Sequence, residues 1–392
     1  MIPRKRIDIG CADLASGLLG CVAPGNTTAM RHAIESTWDT RASFACLSVR
    51  SGLDALLAVL ALPVGSEILI SAVNIADIPR IIEAHGLVAV AVDIDMQTLT
   101  VSPATLERAC TARTRAVLLA HLFGSRMPMQ GVVDFCNKNK YLLIEDCAQA
   151  YTGDAWRGER AADVSLFSFG PVKPATALGG AVLSFRDAAL RDRVRAHVAR
   201  WPMQSRAAYF LRLSKYLVLA PFGNYFVFGA LASLCRLLGS THEKLVSGAA
   251  RGFAGSDFFV RIRQQPSAPL LQLLRRRLAQ GEQSSALRRI ERSRLLQRLL
   301  GAQCVGRQGR EHKHWIFPIV HSDRDALIRH LAKRGFDAAV SASSLGVIGS
   351  PPGAMPTSDA TQTFSQLLYL PAHEGMSESD IRQLAASVAA FN

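Results

Sequence analysis

Between residues 45 and 185 the apolar positions alternate between a helical period and short unbroken runs. Leu53, Leu56, Leu57 and Leu60 share one face, which predicts a helix over 51–62. Apolar runs over 67–72, 88–92, 116–120, 141–144, 162–169 and 180–185 read as buried strands. Helices are predicted between them at 78–85, at 103–110 with Ser102 and Pro103 as its start signals, and at 131–140. Short apolar strands separated by helices predict an α/β fold, a mostly parallel sheet sandwiched by helices. Ligands of such sheets gather beyond the C-terminal ends of the strands, which singles out His121, Asp146 and Ser168.

The remaining pattern divides the chain. A large unit is expected over 1–205 and a smaller α+β unit over 261–392, with a basic helical stretch at 266–300, a strand at 314–320, and helices at 324–334 and 377–390. Between them, 206–260 reads as an apolar helical insertion. No charge falls from Tyr216 to Cys235, yet Pro221, Gly223 and Asn224 interrupt the run. The break argues against one clean membrane span. Two readings of 207–239 stay open: helices on a membrane surface, or core and subunit-interface helices.

Composition narrows the class. The 392 residues are 49% hydrophobic and 19% charged, which excludes a disordered chain, and too many for a single core. The net charge of +14 favours anionic company. Arg275–Arg277 and Arg288–Arg289 raise nucleic acid as a partner, but no recognisable binding motif accompanies them, and none is expected to bind. Cys11, Cys21, Cys46, Cys110, Cys136, Cys147, Cys235 and Cys304 are scattered without metal-type spacing, so a reducing cytoplasmic setting and no metal site are expected. The first twenty residues are broken by Asp8, Asp13 and glycines and do not read as a signal peptide.

Three features carry candidate chemistry. Ser51-Gly52 opens a helix, where unpaired N–H groups attract phosphate; taken alone, it reads first as a plain helix start. Glu145-Asp146-Cys147-Ala148-Gln149-Ala150 ends a strand, where Asp146 either caps a turn or pairs with a cationic ring nitrogen. Lys173 sits in FSFGPVKPATALGGA, whose apolar and small residues favour the neutral amine that Schiff-base formation requires, although Pro171 and Pro174 also suit a surface turn.

With HLFG at 121–124 and LPAHEGMSE at 370–378, this ordered set resembles the DegT/DnrJ-type sugar aminotransferases, a branch of the fold-type I pyridoxal-phosphate enzymes. The resemblance is clearest over 47–185 and weaker over 261–274 and from Trp315 onward. It implies pyridoxal 5'-phosphate carried by Lys173, Asp146 at the pyridine nitrogen, Gln149 on the hydroxyl side, and Ser168 with Ser51-Gly52 at the phosphate. It implies an amino donor, glutamate or glutamine, a nucleotide-linked keto-sugar acceptor, and a homodimer with shared active sites. His121, Arg263 and His373 are further substrate candidates, each with an ordinary structural alternative.

Departures from the family pattern fall on the cofactor cradle. Leu53 replaces a threonine, Ile75 an aromatic ring that stacks on the cofactor, and Arg261-Ile262-Arg263 an Asn-x-Arg motif whose asparagine reaches the neighbour's phosphate. Retention of Lys173 argues against the dehydratase branch, which carries histidine there. Two other readings follow: an aminotransferase acting on a lipid-linked acceptor at the cytoplasmic face of a membrane, and a non-catalytic membrane scaffold of the same descent.

Overall fold

The computed structural model describes residues 1–392 except 5, 224, 226, 227, 230–256, 282, 283, 342, 343, 352 and 392. In chain order the N-terminal half contains α1 (Cys11–Val22), α2 (Thr27–Trp38), β1 (Ala42–Cys46), α3 (Val49–Leu60), β2 (Glu67–Ser71), β3 (Val73–Ile75), α4 (Asp77–Ala84) and β4 (Val88–Val92). Then come α5 (Pro103–Ala109), β5 (Thr114–Ala120), β6 (Ser125–Arg126), α6 (Gln130–Asn139), β7 (Leu142–Asp146), β8 (Val164–Ser168), β9 (Ala181–Phe185), α7 (Ala188–Val198) and α8 (Arg206–Leu219). The C-terminal part contributes α9 (Phe258–Ile262), α10 (Ala268–Ala279), α11 (Ser284–Leu300), β10 (Glu311–His312), β11 (Phe317–Val320), α12 (Arg324–Lys333), β12 (Leu345–Val347), α13 (Ser358–Gln366), β13 (Leu367–Leu370) and α14 (Glu378–Ala389).

Seven strands form the central sheet in the order β1-β9-β8-β7-β5-β2-β4. From β8 to β4 every pair is parallel, whereas β9 runs antiparallel to both neighbours. The predicted mostly parallel sheet is therefore present, closed at one edge by β1, which the apolar pattern alone does not mark. One face of the sheet packs α3 and α7 through Leu53, Leu56, Phe44, Ile68, Val194 and their neighbours. The opposite face packs α5, α6 and the strand-end loops. The helix predicted over 51–62 begins two residues earlier, because the Ser48 hydroxyl accepts from the Ser51 N–H and caps it.

The basic stretch at 266–300 is two helices parted at Gly281, whose φ of 63° lies in the left-handed region that glycine tolerates. Helix α10 packs against α1, α2 and α8, and Arg277 joins them as a buried cation, 2.7 Å from Asp13 and bonded to the Thr176 carbonyl. Arg276 also reaches Asp13. Arg277 is thus a buried tie between helices, whereas Arg275, Arg276 and Arg288 are exposed. Strands β11 and β13 with α11, α12 and α14 enclose a separate apolar cluster around Ile319, Leu327, Leu368 and Leu384.

Of the 207–239 segment, the structure describes α8 through Leu219 and a tight turn over Ala220–Gly223, the place where Pro221 breaks the run. The further helices expected in this segment lie largely outside the described residues. Among the described residues, no helix is long and apolar enough to cross a membrane.

Candidate active site

Asp146 is the last residue of β7, and Ser168 the last of β8, the parallel strand beside it. Both therefore stand at the C-terminal edge of the sheet, where the strand pattern places ligand chemistry. Asp146 is buried; its Oδ1 accepts from the Ala148 N–H at 2.9 Å, and among the described residues Oδ2 has no hydrogen-bond partner. Burial pushes its carboxyl up, and the Ala148 N–H and the amine of Lys173 pull it back. A carboxylate so placed calls for a cationic or proton-bearing group.

Lys173 follows β8 in a turn closed by its own N–H on the Gly170 carbonyl. Burial pulls its amine down from 10.5 to about 7, against the opposing attraction of Asp146. The Nζ lies 3.9 Å from the centre of the Trp315 ring, and the indole N–H is tied to the Val172 carbonyl at 2.9 Å. Trp315 thus covers the amine from the far end of the sequence. The loop is also held from the N-terminus, since Asp8 accepts from the Ala175 N–H at 2.6 Å.

The remaining sequence candidates divide sharply. Gln149 is buried, and its Oε1 accepts from the Phe123 N–H, so one end of the amide positions the 121–124 turn while Nε2 has no hydrogen-bond partner among the described residues. Ile75 lies half-buried on β3, paired with Leu345 of β12, with its side chain packed toward the apolar core. Ser51 is fully buried, with its hydroxyl 2.8 Å from that of Ser48. Gly52 faces the sheet: a Cβ there would lie 2.7 Å from Leu183 Cδ1, so close helix packing and not anion approach demands the glycine. Leu53 is fully buried in the same apolar layer, which corrects its placement in the cofactor cradle.

His121 is buried at 1% exposure, with Nε2 2.7 Å from Glu145 and Nδ1 accepting from the Met127 N–H. Both nitrogens are spent, so the substrate candidate is a core link. Cys147 completes a trio with them whose ligand atoms lie within 4.8 Å, but burial pushes its thiol well up and the histidine and carboxylate already bond each other. His373 is similarly engaged by the Pro3 carbonyl and the Gly375 N–H. Arg263 forks onto buried Asp54 at 2.9 and 3.0 Å; Arg261 is exposed and pairs with Asp257, the residue just ahead of its helix.

Residues 36–206 match the profile of the DegT/DnrJ/EryC1/StrS aminotransferase family. The chain carries a DegT/DnrJ/EryC1/StrS aminotransferase family domain. Among its relatives, the dTDP-3-amino-3,6-dideoxy-alpha-D-galactopyranose transaminase of Aneurinibacillus thermoaerophilus is 33% identical over 163 residues, 36% of this chain and 44% of the relative. GDP-perosamine synthase of Escherichia coli O157:H7 is 31% identical over 152 residues, 37% of this chain and 42% of the relative. The chain thus spans less than half the length of these curated relatives. The fold reaches further than the identity. The aminotransferase TlmJ from Streptoalloteichus hindustanus superposes with a TM-score of 0.68 at 21% identity over 100% of both chains. Helicobacter pylori PseC gives 0.70 at 14% identity, over 99% of this chain and 98% of its own.

The sequence motifs find Lys173 and Asp146 but miss two neighbours, one inside the matched stretch and one beyond it. Arg50, in the first turn of α3, pairs with Asp77 and lies close enough to Lys173 and Asp146 to lower both their pKa values. Its position just before Ser-Gly is the signal that could have drawn attention. For Trp315 no local signal exists, because only the fold brings it to Lys173.

Proposed function

We propose that this chain is a pyridoxal-phosphate-dependent aminotransferase moving an amino group from glutamate or glutamine to a nucleotide-linked keto-sugar. The observation that carries the reading is Lys173: a lysine drawn to about 7, covered by Trp315, beside a buried carboxylate with an unbonded oxygen. The residues present fit the cofactor at the amine and at the ring nitrogen. At the phosphate the fit rests on the start of α3, on Arg50 and on Ser168, and not on the hydroxyl or N–H of Ser51, which Ser48 engages. When bound, the cofactor would supply an aldehyde for an amine and a ring that draws electrons from an adjacent carbon.

This chain's residues would do the rest. Lys173 offers a neutral amine near pH 7 and can carry a proton to and from the reacting carbon. Asp146 would keep a proton on the ring nitrogen, and that cation would in turn return the carboxylate to its ionised form. Gln149 would use its free amide end on the ring. Trp315 keeps bulk water from the amine. In a homodimer, exposed Arg261 is available to a neighbouring copy.

The test is the absorption spectrum of the purified protein with pyridoxal phosphate, before and after borohydride. A visible band that borohydride removes and that Lys173→Ala lacks supports the reading. Wild-type protein without the band overturns it, and leaves the scaffold in its place.

A lipid-linked acceptor has one observation in its favour. Leu19 and Val22 on α1 and Leu211 and Val218 on the adjoining α8 are exposed, flanked by basic residues of α8. Co-sedimentation with anionic vesicles that Leu211→Glu with Val218→Glu abolishes would favour it; wild-type protein that stays in the supernatant would remove it.

A further inference from the structure

Against Lys173 lies a cavity of about 40 Å³ that takes none of its lining from Asp146, Gln149 or Ser168. Its walls come from Arg4, Arg6 and Asp8 near the N-terminus, Arg289 of α11, Trp315, and the His373–Glu374 loop. Arg289 is 9% exposed; its Nε donates to the His314 carbonyl at 3.1 Å, and its Nη2 is buried with no hydrogen-bond partner among the described residues. A buried charged donor left unmatched is costly, so the folded chain retains it at a loss unless a water or a ligand completes it.

The unmatched guanidinium N–H of Arg289 calls for an acceptor, and the other charges around the cavity already engage one another. Arg4 pairs with Asp337 at 3.5 Å. Asp8 is already shared with the Ala175 N–H and, at 3.4 Å, with Arg277; Glu374 lies 3.6 Å from Arg6. Size then selects the ligand. One water needs roughly 10–15 Å³ of such a cavity, so it admits about three or four water-sized groups, room for a carboxylate and not for a diphosphate.

We infer that Arg289 anchors a carboxylate of the amino donor in the cavity beside Lys173. The guanidinium fork matches a carboxylate's two oxygens, which would orient the donor's amine toward the lysine. The identity of the ligand as amino donor rests on the aminotransferase reading; the anion site itself does not.

Glutarate, which has the donor's two carboxylates and no amine, separates the two. Titration of the full-length protein by calorimetry is expected to show glutarate binding that Arg289→Met weakens about ten-fold or more, as loss of a charged hydrogen bond would. Arg289→Lys, which keeps the charge without the fork, falls between and serves if the methionine variant does not fold. Uridine diphosphate affinity stays unchanged in both. Wild-type protein that does not bind glutarate, or variants that bind it equally, overturn the inference. So does a loss confined to uridine diphosphate, which would assign Arg289 to the acceptor. The cofactor band, read on the same samples, keeps failure of the aminotransferase reading apart from failure of this one.

Discussion

A free lysine is neutral roughly once in a few thousand molecules at pH 7, whereas one held near 7 is neutral half the time. The difference is what burial does to Lys173, and it carries a sign. The neutral fraction rises with pH through about 7, so the rate at which added pyridoxal phosphate develops its visible band should rise with pH and reach half-maximum near 7. A midpoint above 9 would mean that the amine is hydrated and ordinary. Asp146→Asn removes the carboxylate that supports the ammonium form, so that midpoint should move lower; transamination should fall about 10²–10⁴-fold, in the range of a lost catalytic proton contact. Turnover by the asparagine variant equal to wild type would disprove the ring-nitrogen role. Lys173 was legible because its neighbours in sequence are apolar. Its cover was not, because an indole packed from another part of the chain leaves no mark on local composition.

At the scale of elements, most helices and strands of the sheet follow from periodicity, and the departures have local causes. Helix α3 starts at a serine cap two residues ahead of its apolar stripe, which turns Ser51, Gly52 and Leu53 inward. The Ser-Gly pair is thus visible in the sequence, but its packing role is hidden until β9 lies beneath it. Gly52→Ala should cost about 1–3 kcal/mol by overpacking against Leu183, measured as a lower denaturant midpoint with unchanged slope; an unchanged midpoint would contradict this packing. His121 joins β5 to β7 through Glu145, whose second oxygen accepts from Ser165 and the Glu159 N–H. His121→Ala leaves that buried carboxylate short of a partner and should destabilise by roughly 3 kcal/mol. A loss of activity with full stability would instead return His121 to the substrate set.

Across the whole molecule, paired carboxylates bind distant segments. Asp13 links α1 to α10, and Asp54 links α3 to Arg263 and His85; in each case burial raises the carboxyl, and hydrogen bonds and charge from the partners outweigh it. Folded-state pKa values below the ordinary 3.8 mean that the unfolded chain takes up protons first as pH falls. The stability these groups give is therefore complete above about pH 4 and lost below it. Urea midpoints should be level from pH 7 to near 4 and then drop, with a smaller drop in Asp54→Asn. A parallel decline in both proteins would place acid sensitivity elsewhere.

The turn at 121–124 meets both halves of this arrangement. Gln149 holds the Phe123 N–H from the sheet side, while the Phe123 carbonyl receives the Trp315 N–H. The acidity of Lys173 is consequently a property of how two parts of the chain press together, not of the strand that bears it. Substitutions far out in the C-terminal segment that let the indole drift would admit water, and the lysine would regain the affinity for protons of any lysine in solution. A lineage of such proteins can in this way retune its key amine by editing its tail, with every residue of the sheet left as it was.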